Sequence, residues 1–132
     1  MDALPHGYPF RFVDRVLSRE PGRVRALKLL TLGEPVFQGH LPGRPLLPGV
    51  LMVEMLAQAA AYLEEGPEPG ADYLLAQVAD ARFKAPAFPG DRLELEVEQE
   101  AAFGALRRVK GRVTCEGRLL CSATLVLARR PA

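Results

Sequence analysis

Apolar and polar residues alternate most cleanly at residues 93–98, where Leu93, Leu95 and Val97 interleave with Glu94, Glu96 and Glu98. A period of two marks a strand with one face buried and the other in water. Val109, Gly111, Val113 and Cys115 share one face of a second such strand, with Arg108, Lys110 and Arg112 on the other. Residues 13–18 and 24–31 read as two strands joined by the turn Glu20-Pro21-Gly22-Arg23, residues 73–83 as an apolar-rich strand, and 119–127 as the last. One stretch does not alternate. Residues 49–63 read Gly-Val-Leu-Met-Val-Glu-Met-Leu-Ala-Gln-Ala-Ala-Ala-Tyr-Leu, with Glu54 and Gln58 as the polar interruptions. A helix that is apolar all round is a buried helix. Pro48-Gly49 opens it and it ends near Glu64-Glu65-Gly66. Residues 32–48 before it read as an irregular loop, and Gly66-Pro67-Glu68-Pro69-Gly70 after it as a linker.

The order is strand, strand, long helix, then four strands joined mostly by hairpins. That order predicts an α+β fold, an antiparallel sheet wrapped around one long buried helix. At 132 residues the chain reads as a single domain, 1–132. One sheet of this size can hardly cover such a helix on every side, so a second subunit is expected to complete the cover.

The composition, 48% hydrophobic and 25% charged, is that of a soluble globular protein. A net charge of +1 gives no reason to expect nucleic acid as a partner. The apolar helix is too short and too polar for a membrane span, and the N-terminus lacks the basic-then-apolar pattern of a signal peptide. A turn at Glu116-Gly117 would pair Cys115 with Arg118 and Arg112 with Cys121, which keeps the cysteines apart; both are expected as free thiols in a cytoplasmic protein. His6, His40 and the cysteines lack metal-ligand spacing, and no glycine-rich dinucleotide loop is present, so neither metal nor cofactor is expected.

The candidate chemistry centres on Glu54. An ionised carboxylate in an apolar helix is costly unless it is paired or holds its proton. Fourteen residues upstream lies His40, in the loop Gly39-His40-Leu41-Pro42-Gly43-Arg44-Pro45-Leu46-Leu47-Pro48-Gly49. The two read as a general base and a general acid. The bland alternative for Glu54 is a salt bridge to Arg15 or Arg82. Gln58, one turn on, lies on the same helix face and is placed to orient the carboxyl. Gly49 sits at the helix N-terminus, where backbone N–H groups favour negative charge.

These residues bring the chain close to a known family. It resembles the β-hydroxyacyl-acyl-carrier-protein dehydratases of type II fatty-acid synthesis, the FabZ type with the hot-dog fold. The resemblance covers nearly the whole chain. It rests on Leu4-Pro5-His6-Gly7-Tyr8-Pro9-Phe10, Val13-Asp14-Arg15-Val16, Gly39-His40-Leu41-Pro42-Gly43-Arg44-Pro45 and Pro48-Gly49-Val50-Leu51. Val53-Glu54, Ala57-Gln58-Ala59, Ala81-Arg82-Phe83-Lys84 and Pro89-Gly90-Asp91 complete it. Two positions depart from the family pattern: Leu41 stands where phenylalanine is usual and Ala79 where an acidic residue is usual. Related isomerising dehydratases carry aspartate at the position of Glu54, so glutamate favours the simple dehydratase.

The resemblance implies dehydration of a 3-hydroxyacyl group on an acyl-carrier protein to the trans-2-enoyl form. His40 of one subunit would be the base and Glu54 of the other the acid, and the Gly49 N–H would stabilise the enolate-like oxygen. It implies a homodimer, or a trimer of dimers. Arg44 and Lys84 are the candidates for docking the acidic carrier; Arg108, Lys110 and Arg112 either share that task or pair with Glu94, Glu96 and Glu98. Two rival functions are a hot-dog acyl-thioesterase and a non-catalytic acyl-binding protein.

Overall fold

The computed structural model describes residues 11–39, 46–63 and 73–129. Six strands form one antiparallel sheet: β1 (Arg15–Glu20), β2 (Arg23–Leu29), β3 (Tyr73–Phe83), β4 (Arg92–Phe103), β5 (Leu106–Cys115) and β6 (Arg118–Arg129). Their spatial order is β1-β2-β4-β5-β6-β3. Between β2 and β3 the chain makes a one-turn helix, α1 (Val36–Gly39), then α2 (Gly49–Ala60), which tightens into a 3-10 turn at Ala61–Leu63. All six strands and the long helix lie where the hydrophobic periods predict them. α1 lies inside what reads as irregular loop, because a single turn is too short to show a period.

The sheet curls around α2. Leu93, Leu95 and Val97 of β4, Val109 and Val113 of β5 and Leu125 of β6 are sealed against the helix residues Met52, Met55, Leu56 and Ala59. At the centre of this contact the helix sits on Gly111 of β5. A Cβ there would fall 2.9 Å from Leu56 Cδ1 and 3.2 Å from its Cβ, closer than side chains pack. Glycine on this strand therefore sets how deep the helix lies.

The opposite face of the sheet is a charge ladder. Glu96 accepts from Arg23 of β2 at 3.2 Å and from Arg112 of β5 at 2.9 Å, so one carboxylate ties three strands. Burial pushes the Glu96 pKa up, but the hydrogen bonds and charges of the two arginines outweigh it and hold the group below the usual carboxylate range. Arg25 pairs with Glu94 at 3.6 Å, and Arg108 and Lys110 reach Glu100 at 3.6 and 3.9 Å. Thus Arg108, Lys110 and Arg112 already have carboxylate partners within the sheet.

The β5–β6 register corrects one sequence-based pairing. Cys115 does lie opposite Arg118, but Arg112 lies opposite Ser122, and Cys121 opposite Val113. The shift comes from an irregularity after Val113, where Thr114 pairs with Leu119 and leaves Leu120 as the extra residue. Both cysteines are free, and burial pushes the Cys121 thiol up to about 11.

Candidate active site on the open face of the long helix

The helix is not covered all round by its own chain. Met52, Val53, Met55, Leu56, Gln58, Ala59 and Ala60 are buried, whereas Val50 is 70% exposed and Leu51, Glu54 and Ala57 are half-buried. The spacing 50, 54, 57 makes these one stripe. As expected of one sheet of this size, it covers one side of the helix, and Glu54 stands on the other.

Beside that stripe runs β3, the edge strand. Leu75, Val78 and Phe83 pair in register with Leu127, Leu125 and Cys121, all buried, so they point to the helix side of the sheet. They are nevertheless 41%, 43% and 51% exposed. Two bulges, at Ala76 and at Asp80-Ala81, bend the strand, and Asp80 adopts φ 53 to make the second. The helix stripe and the inward face of β3 together border an open apolar margin with one carboxylate on it.

Gln58 holds that carboxylate. It is buried, and its Oε1 accepts the backbone N–H of Phe12 at 2.8 Å. With the oxygen committed, the amide nitrogen must face the other way. It lies 3.4 Å from Glu54 Oε1, a long donor contact. Arg82, one of the two arginines offered as a salt-bridge partner for Glu54, pairs with Asp80 at 3.0 Å.

The helix start lies at the end of the same margin. Pro48, with φ −58 and ψ 131, leads into Gly49 without a side-chain cap, and the Leu51 N–H returns to the Pro48 carbonyl at 3.0 Å. The Leu47 N–H bonds the Ala87 carbonyl at 2.8 Å, which pins this turn to the β3–β4 connection. Packing alone requires a glycine at 49. A Cβ on it would fall 2.9 Å from Phe83 Cδ1, so the aromatic ring of β3 lies where a side chain would be.

Of the other sequence-predicted residues, Lys84 follows Phe83 at the exposed end of β3, its N–H bonded to the Leu120 carbonyl at 2.8 Å. His40 and Arg44 lie outside the described residues, as does His6. Sequence reasoning missed Phe12 as the partner of Gln58, since a backbone N–H carries no residue-type signal. It also missed Phe83 against Gly49, which depends on where β3 ends.

Comparison with known proteins bears on this arrangement. The model of the FabA-like domain matches residues 4–124. The 3-hydroxyacyl-(acyl-carrier-protein) dehydratase FabZ of Klebsiella pneumoniae is 47% identical over 134 residues, covering 98% of this chain and 89% of that protein. Its counterpart from Variovorax paradoxus is 49% identical over 133 residues, covering 96% and 89%. The chain belongs to the FabA-like family, among the FabZ dehydratases. Solved structures match the fold. The dehydratase heterocomplex ApeI:P from Xenorhabdus doucetiae aligns with TM-score 0.79 at 19% identity, over 98% of this chain and 89% of that one. A hypothetical thioesterase protein with coenzyme A from Streptococcus pneumoniae aligns with TM-score 0.68 at 14% identity, over 89% and 90%. The fold is therefore the hot-dog shared by dehydratases and thioesterases.

Proposed function

We propose that this FabZ-family chain is a 3-hydroxyacyl-acyl-carrier-protein dehydratase of fatty-acid biosynthesis that works through His40 and Glu54. The observation that carries the mechanism is Glu54 itself, a carboxylate on the open apolar stripe of the helix, held from behind by a buried glutamine.

Loss of water from a 3-hydroxyacyl thioester needs a proton removed from C2 and a proton delivered to the departing C3 hydroxyl. A neutral imidazole at His40 takes the first. The Glu54 carboxyl gives the second, and Gln58 Nε2, which can only donate, fixes its direction. As the C2–H bond breaks, charge builds on the thioester oxygen. Backbone N–H groups at the Gly49 end of α2, aided by the helix dipole, lie at the right terminus to stabilise it. The C3–O bond then breaks, the hydroxyl leaves as water, and the trans-2-enoyl thioester remains on the carrier.

The uncovered stripe and the free apolar edge of β3 support a homodimer, in which His40 of one subunit meets Glu54 of the other; a trimer of such dimers is the larger alternative. Lys84, exposed beside Phe83, and Arg44 are the docking residues for the acidic carrier. We assign the enzyme to the cytoplasm, where both cysteines stay as free thiols. No helix among the described residues is long and apolar enough to cross a membrane.

The test is incubation with 3-hydroxyacyl-acyl-carrier proteins of several lengths, followed by mass spectrometry for loss of water. His40→Ala and Glu54→Gln should each lower turnover by about 10²-fold or more while the circular dichroism spectrum stays native. Near-wild-type dehydration by either variant would sink the mechanism. Release of free thiol in place of enoyl product would make the protein a thioesterase instead.

A further inference from the structure

Val24 and Ala26 of β2 point into the core, and Lys28 falls on the same side, 5% exposed. A buried ammonium must be matched by acceptors. Two carboxylates match it: Glu34 Oε1 at 2.7 Å and Asp14 Oδ1 at 3.4 Å. Each carboxylate begins a tether. The second oxygen of Asp14 accepts the Leu29 N–H at 2.7 Å, so Asp14 is held at both oxygens. Two residues before it, the Phe12 N–H bonds Gln58 Oε1, and the Gln58 amide nitrogen faces Glu54. On the other arm, the Glu34 carbonyl accepts the Phe37 N–H at 3.0 Å, Phe37 is buried, and His40 follows three residues later in sequence.

We propose that Lys28 is a positioning residue for the reaction, a single buried cation that anchors both the segment supporting Glu54 and the segment delivering His40. The inference rests on the acid–base assignment above. Its physical basis is that two carboxylates face one buried ammonium, Glu34 largely sheltered with it and Asp14 at the solvent edge. Without the ammonium they repel each other, and both tethers lose their common fixed point. The hydrogen-bond partners of Asp14 and Glu34 lie in β2 and its flanking turns, so the effect on catalysis runs through the chain. Because each subunit gives its histidine to one site and its glutamate to another, one Lys28 would serve two active sites.

Steady-state kinetics on 3-hydroxyacyl-acyl-carrier protein test this, run well below the unfolding temperature of every variant. Lys28→Met should lower kcat at least about tenfold with KM within about twofold, because displacement of a reacting group is felt in the transition state more than in binding. Glu34→Gln and Asp14→Asn should each lower kcat severalfold, and Lys28→Arg should restore most of the loss. If Lys28→Met does not fold, Glu34→Gln decides the matter, since it leaves Lys28 matched by Asp14. Folded Glu34→Gln and Asp14→Asn with kcat within about twofold of wild type would overturn the proposal and leave the triad a purely structural clamp. His40→Ala and Glu54→Gln belong in the same assay. If those two are active, the acid–base assignment itself has failed; if they are dead while the triad variants are unaffected, only the anchoring role has.

Discussion

Two halves of the same sheet meet the same helix in opposite ways. At the centre, Leu93, Leu95, Val97, Val109 and Val113 have no surface left to water. At the β3 margin, Leu75, Val78 and Phe83 point the same way and remain 41–51% exposed. Both are apolar, so hydrophobicity does not separate them. What separates them is what lies above. The centre is covered by α2 of its own chain, while the margin and the stripe from Val50 to Ala57 stay half-buried or exposed. Glu54 sits on the boundary. A carboxylate placed in the sealed half would be a permanent liability; on the half-buried margin it keeps contact with water. The proposed site thus belongs to the unfinished side of the fold.

The largest effect is expected from mixing two dead proteins. His40→Ala and Glu54→Gln, unfolded together and refolded, should recover roughly a quarter of wild-type activity, because random pairing makes half the dimers mixed and each mixed dimer has one intact site of two. If the pair lies within one subunit, every site keeps a defect and no activity returns. Next in size is the sealed half. Leu95→Ala should destabilise the protein by about 2–5 kcal/mol in denaturant unfolding, the cost of a cavity in a packed core; a loss under about 1 kcal/mol would show the centre to be loosely filled. The margin should respond differently. Val78→Asp should leave the strand content unchanged but raise the concentration at which the assembly dissociates at least about tenfold, read by sedimentation, since it puts a charge on the face awaiting cover. Unchanged sedimentation would mean that β3 faces water in the assembly.

The smallest effect belongs to the outer ladder. Glu96→Gln should cost under about 1 kcal/mol at pH 7, as partly exposed pairs do. Its sign with pH follows from the direction of the shift. Arg23 and Arg112 hold the folded pKa below the unfolded value, so the stabilisation is present above the unfolded carboxylate pKa and is lost as pH falls through the folded one. Denaturant melts of wild type and variant should therefore converge at low pH.

Much of this was legible in the chain. The strands announce themselves by period two and α2 by its unbroken apolar run, because both patterns are local. The ladder was legible in part: Arg112 meets Glu96 as the matching periods suggest, but Arg108 and Lys110 reach Glu100, past the bulge in β4, and Glu94 pairs with Arg25 and Arg92. The β3 bulges and the slip after Val113 were not: a bulge is a property of two strands, and neither sequence alone records it. Gln58 reads as an orienting residue from its spacing to Glu54, but its hold on Phe12 spans 46 residues and ends on a backbone N–H. Lys28 did leave a trace, a lysine in phase with Val24 and Ala26 on the core side of β2. That α2 needs cover beyond its own sheet was legible from its apolar run, but not what supplies that cover. An apolar surface records that it will be dry, and is silent about whose chain dries it.

Gly111 has a consequence for how this enzyme tolerates change. The helix rests there with no clearance, Leu56 occupying the volume of the missing methyl. Leu56 is two residues along the helix from Glu54, so the seat of one fixes the height of the other above the sheet. A solvent-hidden strand position with no chemistry of its own thus acts as a shim under the helix turn that carries Glu54. Thickening it by a single carbon would press on Leu56 and shift Glu54, the proposed acid, without altering any residue of the proposed site.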